Sequence, residues 1–238
     1  MSDQKHFKRI ETCTCCGTRH FNAHPVLWKD LINEWGLSQV EIEYVNRQQG
    51  LTCNRCCNSL RSMALAKAIM STQGYKGTFR RFVYSPRSWF LKILEINTAG
   101  TLTSYLSRLP RRTLAIYPDV DMLQMPYESD LFDLVVHSDT LEHVPSPIKA
   151  LSECFRVLKP GGFCCFTIPI IVGRLSRNRT GLPPSYHGGE GDKLGDFLVQ
   201  TEYGSDFWLQ LFEAGFTECR TVSVEFPSAL AIAAMKPY

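Results

Sequence analysis

Four uninterrupted apolar runs in the second half of the chain most strongly limit how it can fold. They are WFLKILEI (Trp89–Ile96), TLAIY (Thr113–Tyr117), FDLVVHS (Phe132–Ser138) and GFCCFTIPI (Gly162–Ile170). Because apolar residues follow one another without polar alternation, both faces of each strand must be buried, which is typical of parallel strands. The runs therefore predict a parallel sheet that is covered by helices on both faces.

Helical patterns lie between these runs. The clearest helix is predicted to begin at Pro147, after a candidate N-cap at Ser146, and to end at the KPGG stretch of residues 159–162. Two further apolar runs, at residues 217–226 and 229–236, predict a final pair of strands. This alternation predicts an open α/β sheet with right-handed crossovers, in which ligands bind at the carboxyl ends of the strands.

Two C-x-x-C pairs stand near the start of the chain, Cys13 with Cys16 and Cys53 with Cys56. The first residues contain no apolar segment of a secretory signal, so we expect a cytoplasmic protein, in which disulfides are rare. Two such pairs can present four thiolates tetrahedrally, so these four cysteines are predicted to hold a structural Zn²⁺. Residues 28–45 would then form a helical insert between the pairs.

Alternatives to this ligand set stay open. Cys15 and Cys57 are adjacent competitors, His20 and His24 are possible substitutes, and reduced cysteines without a metal are a further interpretation. The other cysteines are expected to be core residues, because a free cysteine in an apolar stretch behaves as a small hydrophobe. They are Cys154, Cys164, Cys165 and Cys219.

Composition excludes some classes of protein. With 238 residues and 44% hydrophobic residues, the chain can bury a full core, so we expect one main domain and a small appendage. A change in composition places the predicted boundary between residues 1–75 and 76–238. No apolar run reaches the ~20 residues that cross a bilayer. A net charge of +3 is too small to indicate nucleic-acid binding by itself.

The loop after the first apolar run raises the question of a cofactor. In LKILEINTAGTL (residues 91–102) the run ends in an acid, Glu95, and a turn with Asn97 and Gly100 follows. Cofactor loops usually contain several glycines so that the backbone can approach the ligand, whereas Gly100 is alone here. The residues alone leave open a cofactor loop or an ordinary strand-to-helix turn.

Charged residues also surround the third apolar run. Asp121 precedes that run, and Ser138, Glu142 and His143 follow it. Side chains just beyond a buried strand lie at the ligand edge of such a sheet. Helix capping by Glu142 and a hydrogen-bonded core histidine at position 143 are the alternative explanations.

The stretch MPYESDLFDLVVHSDTLEHVPSPIKALSECFRVLKPGGFCCFTIP (residues 125–169) closely resembles the class I S-adenosylmethionine (SAM)-dependent methyltransferases. The similarity covers most of residues 90–238. With the C-x-x-C pairs in front and Arg61 after the second pair, the chain resembles a subgroup that has an N-terminal zinc-ribbon-like segment. The resemblance implies a Rossmann-like, seven-stranded sheet, SAM as cofactor and methyltransferase activity.

The resemblance also implies roles for particular residues. Glu95, Asn97 and Gly100 would form the cofactor loop, although that loop has fewer glycines than the family's pattern. The acid that usually ends the second strand and binds the ribose hydroxyls is absent from AIYPDVD (residues 115–121), where Asp119 is a candidate substitute.

At the two ends of the cofactor the implied residues match the family more closely. Asp121 would accept a hydrogen bond from the adenine amino group, and Met122 would pack against the adenine. Ser138 and the stretch Leu141–His143, with Glu142 at its centre, would line the methionine side.

Residues 172–203 are rich in Gly, Pro and Arg and have little periodicity, which favours an active-site lid. His187 within it is the first candidate for a general base, and His143 is the second. A loop histidine bonded to a backbone carbonyl is the alternative for His187. Three arginines in the same segment could bind an anionic acceptor, or could simply be solvated: Arg174, Arg177 and Arg179.

Three functional interpretations follow. The leading one is a SAM-dependent methyltransferase that modifies an oxygen of a small molecule, sugar or biosynthetic intermediate. In the second, the zinc segment recognises RNA or protein, which several basic residues near the cysteines would support. The third is a non-catalytic binding protein on a methyltransferase fold, because both departures from the family pattern concern the cofactor. The oligomeric state is not predicted.

Overall fold

The computed structural model describes residues 9–187 and 197–238. The strands are β1 (Phe21–Ala23), β2 (Leu51–Cys53), β3 (Ile93–Ile96), β4 (Arg112–Ala115), β5 (Phe132–Ser138), β6 (Leu158–Thr167), β7 (Arg177–Asn178), β8 (Thr201–Glu202), β9 (Glu218–Glu225) and β10 (Ala229–Met235). The helices are α1 (Lys29–Glu34), α2 (Gln39–Gly50), α3 (Leu60–Thr72), α4 (Phe79–Val83), α5 (Pro86–Trp89), α6 (Thr103–Leu106), α7 (Pro147–Val157) and α8 (Trp208–Glu213). Two 3-10 turns are at Gly100–Leu102 and Leu141–His143.

The central sheet has the strand order β4-β3-β5-β6-β10-β9. The first four strands are parallel, and β10 pairs antiparallel with both β6 and β9. This arrangement confirms the predicted α/β, Rossmann-like class. The carboxyl ends of β3 and β5 lie side by side, because Ile96 is opposite His137 in the register.

The described part of the chain forms a six-stranded central sheet, so the number seven that the resemblance implied is corrected. The edge strand is β4, and residues 116–131 connect it to β5 through turns. A parallel crossover alone needs a dozen or more residues, so this connection is too short for a further strand with its own crossovers.

The predicted strands occur, with shifted ends. β5 coincides with its apolar run, whereas β3 begins only at Ile93, because Pro86 starts helix α5, which ends at Trp89. Helix α7 begins at Pro147 as predicted but ends at Val157. The KPGG stretch, which was expected to follow the helix as its end, instead lies inside strand β6.

Helices cover both faces of the sheet. On one face, α3, α4 and α6 pack over β3, β5 and β10 in a cluster that also contains Cys13 and Cys53. On the other face, α7 and α8 pack in a second cluster. Helix α3 precedes the predicted boundary at residue 75 but is almost wholly buried against β9 and β10. The N-terminal segment and the sheet therefore share one core.

The insert between the cysteine pairs is helical, as predicted. Strands β1 and β2 pair antiparallel at its base, and α1 and α2 form its body. Gly36 separates the two helices with a φ of 54°. Ser38 and Glu41 then form a capping box that starts α2.

The predicted lid, residues 172–203, contains the small β7–β8 pair and a bridge between Tyr186 and Leu198. Residues 188–196 of the predicted lid lie outside the described residues. A third apolar cluster joins lid and insert, and we call it the insert–lid cluster: Leu31, Trp35, Tyr44, Ile171 and Val199. Among the described helices, none has the length and apolar character needed to cross a membrane.

Candidate functional site

A cavity of about 880 Å³ lies at the carboxyl ends of the parallel strands. Its inner wall comes from the loops after β3, β4 and β5, and its outer wall comes from the insert and the lid. Ligand sites in proteins commonly have volumes of ~300–1,000 Å³, so this cavity can hold a cofactor together with a small second molecule.

Asn97 lines the cavity where β3 ends. It has a φ of 54°, a left-handed conformation that asparagine tolerates better than most residues. Its side-chain oxygen accepts a hydrogen bond of 3.1 Å from the backbone N–H of Tyr117, which fixes the loops after β3 and β4 to each other.

Glu95 is fully buried beneath this loop and is not among the cavity-lining residues. Its carboxylate accepts hydrogen bonds from the Ala99 backbone N–H at 3.0 Å and from the Thr103 hydroxyl at 2.5 Å. Its other oxygen pairs with Arg112 Nε at 2.5 Å. Glu95 therefore shapes the loop from below.

The other predicted cofactor residues divide in the same way. Asp121 and Met122 line the cavity, with Met122 buried and Asp121 exposed at the mouth. Gly100 and Asp119 are not lining residues, and Asp119 is exposed. Tyr117 lines the cavity near the position of the absent ribose-binding acid.

Ser138, Asp139 and Glu142 form the centre of the inner wall after β5. The Ser138 hydroxyl is 2.7 Å from the Thr167 hydroxyl on β6. Asp139 has a φ of 48° and forms an ion pair with Arg61, which reaches this point from α3. The sequence analysis placed Arg61 only beside the cysteine pairs, as part of their pattern and as one of the basic residues near them, and it did not select Asp139.

Several buried polar atoms at this centre have no hydrogen-bond partner within the described residues: Arg61 Nε and Nη2, Asp139 Oδ1 and Glu142 Oε2. An unsatisfied buried polar group costs about 1–3 kcal/mol, and more when charged, so such a group usually marks the place of a ligand. Burial lowers the pKa of Arg61 to about 10, which leaves it charged at neutral pH, and raises the pKa of Glu142.

The two predicted base candidates, His143 and His187, both line the cavity, and their ring centroids are 6.1 Å apart. His143 Nδ1 is 3.0 Å from the Leu198 carbonyl oxygen, which selects the tautomer that carries the proton on Nδ1. Its Nε2 is then a free acceptor, 3.7 Å from Glu142 Oε1. Burial lowers the pKa of His187 to about 3, assisted by His143 and nearby arginines, so His187 is neutral but weakly basic.

The three lid arginines are paired with acidic side chains. Arg174 binds both carboxylate oxygens of Glu41, at 2.6 and 2.7 Å, and the carbonyls of Trp35 and Gly36. Arg177 pairs with Glu202. The buried Arg179 pairs with Glu202 and Glu34. These arginines therefore link the lid to the insert and link parts of the lid to one another. They give no support to an anionic acceptor.

The four predicted zinc ligands lie together, with their sulfur atoms within 4.8 Å of one another. Cys13 Sγ is 3.6 Å from Cys56 Sγ, and Cys16 Sγ is 3.5 Å from Cys53 Sγ. Tetrahedral Zn–S bonds of ~2.3 Å imply sulfur separations of ~3.8 Å, so the set fits zinc. The alternative residues Cys15 and Cys57 are not in this set.

Three of the cysteines expected in the core are fully buried: Cys154, Cys164 and Cys165. Cys219 is half-buried. Cys154 and Cys164 lie within 4.8 Å of His137, whose ring stacks on Phe166 at a centroid distance of 4.6 Å. Cys154 and Cys164 belong to the second cluster, and His137 is fully buried beside its Phe166, so we regard all three as packing residues.

A family described as a methyltransferase domain matches residues 89–166. This segment is similar to that family. It contains strands β3, β4 and β5 and nearly all of β6, which together form the parallel half of the sheet and the inner wall of the cavity. The resemblance to class I methyltransferases is thereby confirmed for this segment.

Curated relatives of the methyltransferase domain match over shorter stretches. A 2-methyl-6-phytyl-1,4-hydroquinone methyltransferase of Oryza sativa subsp. japonica is 38% identical over 50 residues, which are 21% of this chain and 15% of the relative. A demethylmenaquinone methyltransferase of Clavibacter sepedonicus is 44% identical over 52 residues, 21% of each chain. The matched stretches thus span about a fifth or less of these relatives.

Solved structures similar to this chain include methyltransferases at low identity. One is the Burkholderia thailandensis 1,6-didemethyltoxoflavin-N1-methyltransferase with bound 1,6-didemethyltoxoflavin and S-adenosylhomocysteine, with 13% identity, a TM-score of 0.44 and coverage of 75% of this chain and 79% of that one. Another is a SAM-dependent methyltransferase from Aquifex aeolicus, with 15% identity, a TM-score of 0.39 and coverage of 61% of this chain and 82% of that one.

Proposed function

We propose that this protein is a SAM-dependent methyltransferase that transfers the methyl group to an oxygen of a small molecule. The observation that carries the proposal is the group of unsatisfied polar atoms of Arg61, Asp139 and Glu142 inside the cavity. The amino-acid end of SAM has one carboxylate and one ammonium group. Free guanidinium donors suit that carboxylate, and a free carboxylate oxygen suits that ammonium.

The other end of the cavity suits the nucleoside. Met122 is a buried apolar surface against which an adenine can pack, and the exposed Asp121 carboxylate can accept hydrogen bonds from an amino group. Asn97 and Tyr117 lie between the two ends, where the ribose would be. The cofactor-loop prediction thus becomes a proposal for Asn97, whereas Glu95 would act by holding the loop in shape.

SAM, when bound, supplies an electrophilic methyl group on a sulfonium sulfur. Methyl transfer breaks the methyl–sulfur bond, leaves its electron pair on sulfur and forms a methyl–oxygen bond, while the hydroxyl proton must go to a base. The residues of this chain then have two tasks, to align the two molecules in the cavity and to accept that proton.

His143 is better suited than His187 to be this base. Its Nδ1 is fixed by the Leu198 carbonyl, and its Nε2 is left to accept a proton. The adjacent Glu142 carboxyl group would stabilise the imidazolium that forms. His187 has a pKa of about 3, which makes it a weak base, and we assign it to the wall of the acceptor site.

A small-molecule acceptor is supported by the apolar side chains that line the outer half of the cavity. The curated relatives, whose names refer to a hydroquinone and to demethylmenaquinone, also suggest small acceptors, although they match only short stretches.

We further propose that Cys13, Cys16, Cys53 and Cys56 hold a structural Zn²⁺. Four protein ligands would leave no open position for catalysis.

Calorimetric titration with S-adenosylhomocysteine, the demethylated cofactor, tests the proposal. Asp121→Ala and Arg61→Met should each weaken binding at least tenfold, because they remove contacts at opposite ends of the ligand. Glu128→Ala and Arg87→Met, which change exposed residues away from the cavity, should leave the affinity within twofold.

The same titration with Asp119→Ala decides which acid contacts the cofactor. We expect Asp119→Ala to bind like the Glu128→Ala control. If the wild-type protein does not bind S-adenosylhomocysteine or SAM at millimolar concentration, the proposed function is wrong and the alternative of a non-catalytic fold is favoured.

A further inference from the structure

The outer half of the cavity has a different chemical character from the inner half. Apolar and aromatic side chains dominate it, and they come from two segments far apart in sequence. The insert supplies Leu31, Trp35 and Val45. The lid supplies His187 and Phe197, and Ile171 lies just before the lid.

The indole of Trp35 is held rigidly at the centre of this wall. Its Nε1 donates a hydrogen bond of 2.9 Å to the Ser185 hydroxyl, so its polar atom is already satisfied. The His187 ring lies 4.8 Å from it, and the Arg179 guanidinium carbon lies 5.8 Å from its ring centroid. A fixed aromatic wall of this kind favours flat rings, because aromatic faces pack with favourable geometry at low cost in conformational entropy.

The arginines that the structure describes around this wall are paired with acidic side chains. Arg174 is bound in bidentate fashion by Glu41, and Arg179 is paired with Glu34 and Glu202. His187 is neutral because burial lowers its pKa to about 3. A charged acceptor would therefore lose its hydration here without gaining a counter-charge from the described residues of this wall.

We infer that the outer half of the cavity binds a neutral, planar, mainly apolar acceptor, such as a hydroxylated aromatic ring, against Trp35 and His187. This inference rests on the proposed function for the use of the site and adds the class of acceptor. The hydroxyl of the ring would point inward to His143 Nε2, which takes its proton as the methyl–oxygen bond forms.

The test uses protein saturated with S-adenosylhomocysteine and titrated with 2-naphthol, a neutral planar alcohol. Val45→Phe on α2 enlarges a side chain of the cavity wall, whereas Val40→Phe makes the same change on the exposed side of the same helix. We expect Val45→Phe to weaken 2-naphthol binding at least tenfold and Val40→Phe to change it less than twofold. Binding of S-adenosylhomocysteine should be the same in both variants.

A charged analogue and a second variant test the charge and the location of the bound ring. Naphthalene-2-sulfonate keeps the ring system and adds a negative charge, so it should bind at least tenfold more weakly than 2-naphthol. Phe197→Ala, which shortens a side chain on the lid side, should also weaken 2-naphthol binding. It replaces Val45→Phe as the test variant if Val45→Phe does not fold.

Several outcomes would overturn the inference while leaving the proposed function intact. They are equal or tighter binding of the sulfonate, no binding of 2-naphthol to protein that does bind S-adenosylhomocysteine, and equal effects of Val45→Phe and Val40→Phe. A single-stranded RNA oligonucleotide that competes with 2-naphthol would also overturn it, in favour of nucleic-acid recognition. Failure to bind S-adenosylhomocysteine, by contrast, would reject the proposed function itself.

Discussion

At the scale of single residues, the two histidines in the cavity, His143 and His187, are expected to have different roles in the reaction. We expect His143→Ala to lower kcat by about 10²–10⁴, the usual contribution of a general base, with little change in S-adenosylhomocysteine affinity. His187→Ala should mainly raise KM, because its ring belongs to the acceptor wall. Initial rates with any acceptor that the protein methylates give both values. Near-normal kcat in His143→Ala would contradict the assignment.

A second residue-scale prediction concerns stability in acid. Burial lowers the pKa of both His137 and His187 to about 3. Both titrate near 6.5 when unfolded, so between pH 6.5 and 3 the unfolded state binds more protons than the folded state. The free energy of unfolding should therefore fall as pH falls through this window, by up to about 1.4 kcal/mol per pH unit for each histidine.

Denaturant unfolding at pH 7, 6 and 5 measures this effect. His137→Phe should reduce the pH dependence, since its ring keeps the stacking position on Phe166 without titrating. His24→Phe changes an exposed histidine and is the control. An unchanged slope in His137→Phe would show that His137 does not bind fewer protons in the folded protein.

Among the elements, the cysteine pairs and the strands they flank form the base of the insert. β1 pairs with β2, which ends at Cys53, so a zinc ion bound there would close the insert that carries the outer wall. Cys13→Ser should lower zinc content and melting temperature together, because metal binding contributes directly to folding. Cys57→Ser alters an exposed cysteine outside the set and should change neither. Full stability of metal-free protein would reject a structural zinc.

Elements with a strong local signal could be predicted from sequence. The apolar run of β5 and the proline at the start of α7 are such signals. The end of α7 could not be predicted, because KPGG is compatible both with a helix end and with the bulged start of β6. The described residues contain no seventh strand in this sheet because residues 116–131, which join β4 to β5, are too few. The length of this connection can be read from the sequence.

In the molecule as a whole, the cavity depends on contacts between distant parts of the chain. Arg61 on α3 meets Asp139 after β5, and Arg174 in the lid meets Glu41 in the insert. No local pattern indicates such pairs. From the sequence, Arg61 was therefore placed only beside the cysteine pairs, and Arg174 was a candidate for anion binding or a solvated charge. The resemblance to class I methyltransferases selected Asp121, Met122 and Ser138, and all three are among the residues that line the cavity.

The position of S-adenosylhomocysteine in a crystal structure of its complex tests the central claim most directly. We predict that its amino-acid end lies against Arg61 and Asp139, its adenine against Met122, and its sulfur beside Ser138, facing the wall formed by Trp35 and His187. A ligand bound outside this cavity, or bound inside it without contacts to Arg61 and Asp139, would contradict the account.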